Sequence, residues 1–369
     1  MKIALIGEFS GVHAGLKKGL EALGHHVDIY SNGDAFKKIK SDKALYPVFG
    51  GFFDKLNYYL FGFPKLFRMI SKNYDAIQII NPHVITGVKN SSIYYKYSID
   101  IFKKNKGIKS LAVVGCEANT QRGLSALVRS PCPGCLKDYN LPRCPFISKN
   151  NTKITRHAEN FADHIIPLGG PSYAKSYSHH PKYKYIIPFA VDISMIPNRQ
   201  NYPSGKIKIL HGINRAGFKG SDIILDALKK IEHDHPESFE VIIPDKLPFD
   251  EYIKMLSNVN VVVDQLYGDG LGMNALYSMG AGCVVFTCFD RIHIENLDLT
   301  DAPAIQIGAT VEEIYQQIFE LKNWSVENFN TTGEKSRQFV LDHYSPIKVA
   351  KQVLEYWTST RNTSFSATQ

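Results

Sequence analysis

Apolar residues recur along this chain in short runs, with stretches of helical spacing between them. KIALIG (2–7) is β-rich, and EFSGVHAG (8–15) is a turn containing Ser10, Gly11 and Gly15. LKKGLEALGHHV (16–27) carries Leu16, Leu20 and Leu23 at helical spacing, and Gly24 stops the helix. VDIYS then reads as a second strand, which completes an opening βαβ unit. Strand-like runs continue at DAIQII (75–80), SLAVVG (110–115), HIIPLG (164–169) and YIIPFA (185–190).

A second series begins near residue 206. KIKILHG (206–212) predicts a strand and SDIILDALKKIEHD (221–234) an amphipathic helix. FEVIIP (239–244), VNVVVDQ (259–265), CVVFTC (283–288) and AIQIG (304–308) continue the strands. NRQNYPSG (198–205) is polar and rich in turn formers, as a linker is. The pattern therefore predicts an α/β chain of two doubly wound, Rossmann-like domains, 1–200 and 201–344, facing a central cleft. Helix spacing of Val349, Val353 and Leu354, with Trp357, predicts a final helix (345–358) that packs back onto the first domain. The polar tail, 359–369, is expected to fray.

The 369-residue length suits two domains and a sizeable core without disulfide staples. A formal charge of +8 excludes an acidic binding protein and favours anionic partners: phosphates, nucleic acid or a lipid surface. No helix-turn-helix, RNA-recognition or paired-zinc signature supports nucleic acid. No apolar run is long enough to span a membrane, and the N-terminal run is too short for a signal peptide. The expected setting is cytoplasmic and reducing.

Residues 46–70, YPVFGGFFDKLNYYLFGFPKLFRMI, break the rhythm with dense aromatics. Lys55, Lys65 and Arg68 are interleaved, and Lys37, Lys38, Lys40 and Lys43 lie just upstream. One reading of 36–70 is an anchor on the inner face of a membrane, with aromatics at the headgroup boundary and cations on anionic lipid. The other is a large helix that packs its aromatics in the core.

Four stretches together carry a family resemblance. GEFSGVHAGLKKGLEALGHHV (7–27) is a glycine turn before a helix. HGINRAGFKGSDIILDALKKI (211–231) puts Arg215 and Lys219 in a turn between strand and helix. YGDGLGMNALYSMGAGCVVF (267–286) is a glycine-rich loop followed by helix and strand, and IIPFAVDISMIP (186–197) leads to the linker. In this the chain resembles the GT-B glycosyltransferases, in particular the large retaining family 4 that uses nucleotide-sugar donors. The resemblance implies sugar transfer from a nucleoside-diphosphate sugar of UDP or GDP type to a glycan or lipid-linked glycan acceptor, in cell-surface polysaccharide or glycolipid synthesis. A nucleotide-sugar epimerase or hydrolase of the same fold, or an inactive scaffold, are the alternatives.

Arg offers a bidentate fork and Lys a point charge, so Arg215 and Lys219 suit a diphosphate that grows more anionic as its bond to the sugar breaks. Such a site requires no catalytic metal. Ser10 and Gly11 are expected beside the donor phosphate. Asp269, Gly270, Leu271, Gly272 and Met273 are expected to line phosphate and sugar. The family loop usually opens with Glu, where Asp269 stands, and a second Glu follows where Tyr277 stands. A phenol, with a reference pKa near 10, is not an anionic acceptor for ribose hydroxyls at neutral pH. Glu117 is the first candidate for the acceptor side, with His83 and His13 next, because each lies at or near the C-terminal end of a predicted strand.

Cys132-x2-Cys135, Cys144 and Cys116 fall within one stretch and suggest a structural zinc site, with His157 or Asp138 as substitute ligands. Unligated thiols and a disulfide are the competing readings. Cys283 and Cys288 sit on a predicted buried strand and read as core residues.

Overall fold

The computed structural model describes residues 1–47, 50–85 and 91–359. Val48 and Phe49 of the aromatic stretch, and the expected frayed tail from 360 onward, lie outside the described residues.

The first apolar runs become β1 (Lys2–Ile6), β2 (His26–Tyr30), β3 (Ala76–Ile80), β4 (Ile108–Val113) and β5 (His164–Pro167). They pair in parallel in the order β2-β1-β3-β4-β5. The second series gives β6 (Ile207–Leu210), β7 (Phe239–Ile242), β8 (Val261–Val263) and β9 (Val284–Thr287). A short antiparallel hairpin follows, β10 (His293–Ile294) with β11 (Leu297–Asp298), and then β12 (Ile305–Gln306). The second sheet is also parallel, in the order β12-β9-β8-β6-β7. Both sheets thus have one winding. Strand order reverses between β1 and β3 in one, and between β6 and β8 in the other. Ligands of open α/β sheets bind at such switch points, outside the carboxyl ends of the strands.

Continuous apolar runs form these strands because helices cover both faces. β3 and β8 are buried along their whole lengths. The expected strand at 185–190 is a correction. Ile187 makes one parallel bridge to Leu168, and Pro188, which has no N–H, ends the ladder there.

The last helix, Pro346–Thr358, lies against Val12–Ala22 of the first domain and buries Val349, Val353 and Trp357. Gly19 permits this approach, since a Cβ there would sit 1.9 Å from the Pro346 carbonyl oxygen. Tyr356 fixes the other end: its hydroxyl donates to Ile165 O at 2.6 Å and accepts from Lys184 N at 2.7 Å. Gly19→Ala is expected to overpack this contact and cost about 1–3 kcal/mol. Thermal unfolding reads the loss, and hydrogen exchange should show residues 346–358 deprotected first.

Candidate active site

The two switch points face each other across a cleft of about 500 Å³. Ser10 follows β1, and Asn81 and His83 follow β3. Arg215 and Lys219 follow β6, and Asp264 follows β8; all six line the cleft. Gly272, Met273 and Asn274 close the second domain's side.

Arg215 stands in extended conformation just before the short helix Ala216–Lys219. Its guanidinium carbon lies 3.4 Å from the Phe218 ring centroid, and among the described residues it makes no ion pair. Stacking of this kind pre-positions a cation without neutralising it. Lys219 is arranged differently. The residue is 7% exposed, and its ammonium donates to Gly212 O at 2.9 Å and to Asp264 Oδ1 at 2.8 Å. Asn274 Nδ2 donates to the same oxygen at 2.7 Å, and Tyr252 OH donates to Asn274 Oδ1 at 2.5 Å. Lys219 therefore reaches the cleft as half of a buried pair.

The glycine-rich loop divides. Gly272 and Met273 line the cleft, where Gly272 precedes the helix Met273–Gly280 and leaves that helix's first amides without a side-chain cap. Leu271 is buried. Gly270 packs against the first domain, where a Cβ would lie 2.9 Å from Gly169 O. Asp269 does not face the cleft. Its Oδ2 accepts from Ser172 N at 2.6 Å and its Oδ1 from Ser172 Oγ at 3.1 Å, across the domain boundary. Burial pushes its carboxyl up to about 6.

Tyr277 is buried too, and burial holds its phenol well above the usual range, with Glu8 and Asp192 adding to the effect. A Cβ on Gly11 would sit 2.3 Å from the Tyr277 hydroxyl oxygen. Gly11, whose φ of 89° itself favours glycine, therefore also makes room for the Tyr277 hydroxyl. The helix Val12–Ala22 is capped from within: Glu8 accepts from Gly11 N at 2.9 Å and Ala14 N at 2.8 Å. Ser10 N donates to Asp34 Oδ2 at 2.8 Å, and Lys37 Nζ reaches Ser10 Oγ and Asp34 Oδ2, each at 2.6 Å. Lys37 is consequently a cleft residue and not an upstream lipid contact.

The acceptor-side candidates separate. Glu117 is fully buried and caps the helix Ala118–Ser125, accepting from Thr120 N at 2.6 Å and Asn119 N at 2.9 Å. It does not reach the cleft. His13 is likewise buried: its Nδ1 donates to Gly7 O at 2.8 Å and its Nε2 accepts from Gln78 at 3.2 Å. Burial lowers it to about 4, so it stays neutral. His83 alone of the three lines the cleft, edge-on to Phe146 at 5.0 Å between centroids.

The zinc expectation is not met. Among the described residues no group of three or more His, Cys, Asp or Glu is arranged to hold a metal, and all six cysteines are free of disulfides. Asp138 accepts instead from Gly217 N at 2.5 Å, which joins the helix Cys132–Asp138 to the Arg215 turn. His157 lies on the helix Lys149–Phe161. Cys116 is in the cleft wall, where burial pushes its thiol up to about 11. Cys283 and Cys288 are buried, as expected for core residues.

A second recess, about 100 Å³, opens beside the cleft and shares Lys219, Met273 and Asn274 with it. Ile213, Leu247, Phe249 and Tyr252 make it largely apolar.

No family model matches the chain, and no curated protein matches it. Solved structures do. An Anabaena protein, HepE, solved with UDP and glucose, is 12% identical, with 98% of this chain and 100% of that one covered and a TM-score of 0.61. Sucrose-phosphate synthase from Thermosynechococcus elongatus is 13% identical over 96% of this chain and 98% of its own, with a TM-score of 0.60. A Listeria monocytogenes protein assigned as a UDP-N-acetylglucosamine 2-epimerase is 13% identical over 100% and 99%, with a TM-score of 0.55. This likeness shows that the chain has the GT-B fold: two Rossmann-like domains around a central cleft.

Glu8 gives the stability of the first domain a pH signature. Burial, with Asp34 nearby, raises its carboxyl from 4.5 to about 7. Its contribution to stability is full below pH 4.5 and is lost as pH rises through 7. Glu8→Gln removes that titration, so wild type should lose ground to the variant as pH increases from 5 to 8. Melting temperatures of both, measured across that range, check the sign.

Proposed function

We propose that the chain is a glycosyltransferase that binds a nucleoside-diphosphate sugar in the cleft. It passes the sugar to a hydroxyl of a glycan or lipid-linked glycan. The observation that carries this reading is Arg215, a stacked and unpaired cation at one switch point, opposite the other domain's strand ends. The uncapped start of the helix Met273–Gly280 supplies backbone amides and positive dipole on the same side. Together they suit a diphosphate, and the adjoining apolar recess suits a base.

In the reaction, the bond from the sugar's anomeric carbon to the diphosphate breaks and its electron pair stays on the diphosphate. Arg215 stabilises that growing charge, a form of catalysis that needs donors already in place. The acceptor oxygen bonds to the anomeric carbon and releases its proton. His83 is the cleft residue suited to take it. Retention of configuration follows from the family resemblance. UDP is the favoured donor nucleotide, because the Anabaena protein was solved with it. The second reading, a nucleotide-sugar epimerase or hydrolase, rests on the likeness to the Listeria protein; conversion of donor with no acceptor present would establish it instead.

Calorimetry with UDP and GDP is the first test. Wild type should bind at least one, and Arg215→Ala should bind it about tenfold or more weakly. Absence of binding to any nucleotide or nucleotide sugar would sink the proposal. Lys219 gives a second test. Lys219→Ala should lower turnover about tenfold or more, because the pair holds the strand ends and Asn274 that shape the cleft. It should also cost roughly 3–5 kcal/mol of stability, because Asp264 is left buried without its partner. The double variant Lys219→Met/Asp264→Asn should recover much of the stability and none of the turnover. Near-wild-type transfer by either variant would show that the Lys219–Asp264 pair does not position the cleft for the reaction.

A further inference from the structure

We infer that the outward face of residues 52–61 is a docking surface for an anionic lipid bilayer. The aromatic stretch forms one continuous helical segment: helix Phe52–Asn57, a π-helical turn Tyr58–Gly62, and helix Phe63–Asn73. Its two faces differ. Tyr59, Phe63, Phe67 and Ile70 are buried, and Phe67 stacks on Phe102 at 3.9 Å between centroids. Phe52, Phe53, Leu60 and Phe61 point away from that core and are 74%, 81%, 55% and 69% exposed. Ile93, 83% exposed, extends the patch on the helix Ser92–Phe102, which packs alongside through Tyr94 OH to Tyr59 O at 2.9 Å. Single exposed apolar residues are ordinary, but clustered aromatics mark a contact site.

Charge selects the occupant. Lys55, Lys65, Arg68 and Lys72 are exposed on the same segment, and Asp54 is its one acid. None of those four cations has an ion pair among the described residues. Aromatic groups flanked by free cations fit a bilayer whose headgroups are anionic. Among the described residues no helix is long and apolar enough to cross a membrane, so the contact is peripheral. The segment that carries the patch is hydrogen-bonded toward the chain beside the cleft. Tyr58 OH donates to Leu45 O at 2.5 Å, and Tyr46 OH donates to Val84 O at 3.0 Å, next to His83. A bilayer held here would lie beside the acceptor side of the site.

Co-sedimentation tests this with vesicles of phosphatidylglycerol and phosphatidylcholine, and with phosphatidylcholine alone. Wild type should pellet with the anionic vesicles. Phe52→Ser/Phe53→Ser/Phe61→Ser should lower partitioning about tenfold or more. Its melting temperature and nucleotide binding should not change, since these side chains are exposed. Lys55→Gln/Lys65→Gln/Arg68→Gln should lose the preference for anionic over neutral vesicles. Wild type that stays in the supernatant, or aromatic variants that bind equally well, would overturn the inference. So would a wild-type dimer in light scattering that the Ser variant turns into a monomer, because a second copy would then cover the face. The vesicle result is independent of nucleotide binding, so failure of the donor assignment is read separately.

Discussion

The buried pair of Lys219 and Asp264 fixes the second domain's half of the cleft. It ties three segments together: Gly212 beyond β6, Asp264 beyond β8, and Asn274 at the start of the next helix. A buried ion pair contributes little net stability over an apolar replacement, yet losing one member is costly. Its value here is positional. It holds the strand ends and the uncapped amides of the helix Met273–Gly280 in one arrangement. The pair also removes the ammonium charge from the cleft's balance, which leaves Arg215 as the cleft cation without an ion pair among the described residues.

The first domain meets this half through contacts that require close backbone approach. A Cβ on Gly134 would lie 2.0 Å from Gly217 O, and Gly270 abuts Gly169. Asp269 bridges the boundary to Ser172, and Arg129 donates to Ile307 O at 2.7 Å and Gly308 O at 2.8 Å. The glycines of the loop 268–272 thus serve two ends at once. Some shape the cleft, and others let the domains close.

The fold was legible in the sequence because apolar runs bounded by glycine and helical spacing are local signals. All five strands of the second sheet fall on runs read from the pattern. The strand at 185–190 was misread because its apolar residues are buried without a ladder. The site was less legible. Position at a strand's C-terminal end suggested His83 and Glu117 alike, and only packing separates them: one lines the cleft and the other caps a helix. The same signal was present at Asp264, directly after VNVVV, and at Glu8, directly after KIALIG, yet neither was singled out. Resemblance placed Asp269 at the donor, but it carries no information about which way a domain boundary turns a side chain; Tyr277, placed by the same resemblance, does line the recess beside the cleft. In the aromatic stretch, the core reading holds for one face of the segment, with Tyr59, Phe63, Phe67 and Ile70 buried, and the opposite face is exposed.

The net +8 does not form one basic field, because several lysines near the cleft are matched locally: Lys37 by Asp34, Lys43 by Asp28, and Lys219 by Asp264. Arg215 remains unmatched although thiols surround it. Cys116 and Cys135 both lie within its electrostatic reach, and burial raises both thiols. A thiolate beside the guanidinium would cancel it, whereas a buried neutral thiol does not. Cys116 and Cys135 therefore leave the charge of Arg215 uncancelled, and among the described residues no cysteine group is arranged as a metal cage. The guanidinium, stacked on Phe218 and lining the cleft, so keeps its full charge on the cleft side, where a charge screened less by water acts over a longer reach.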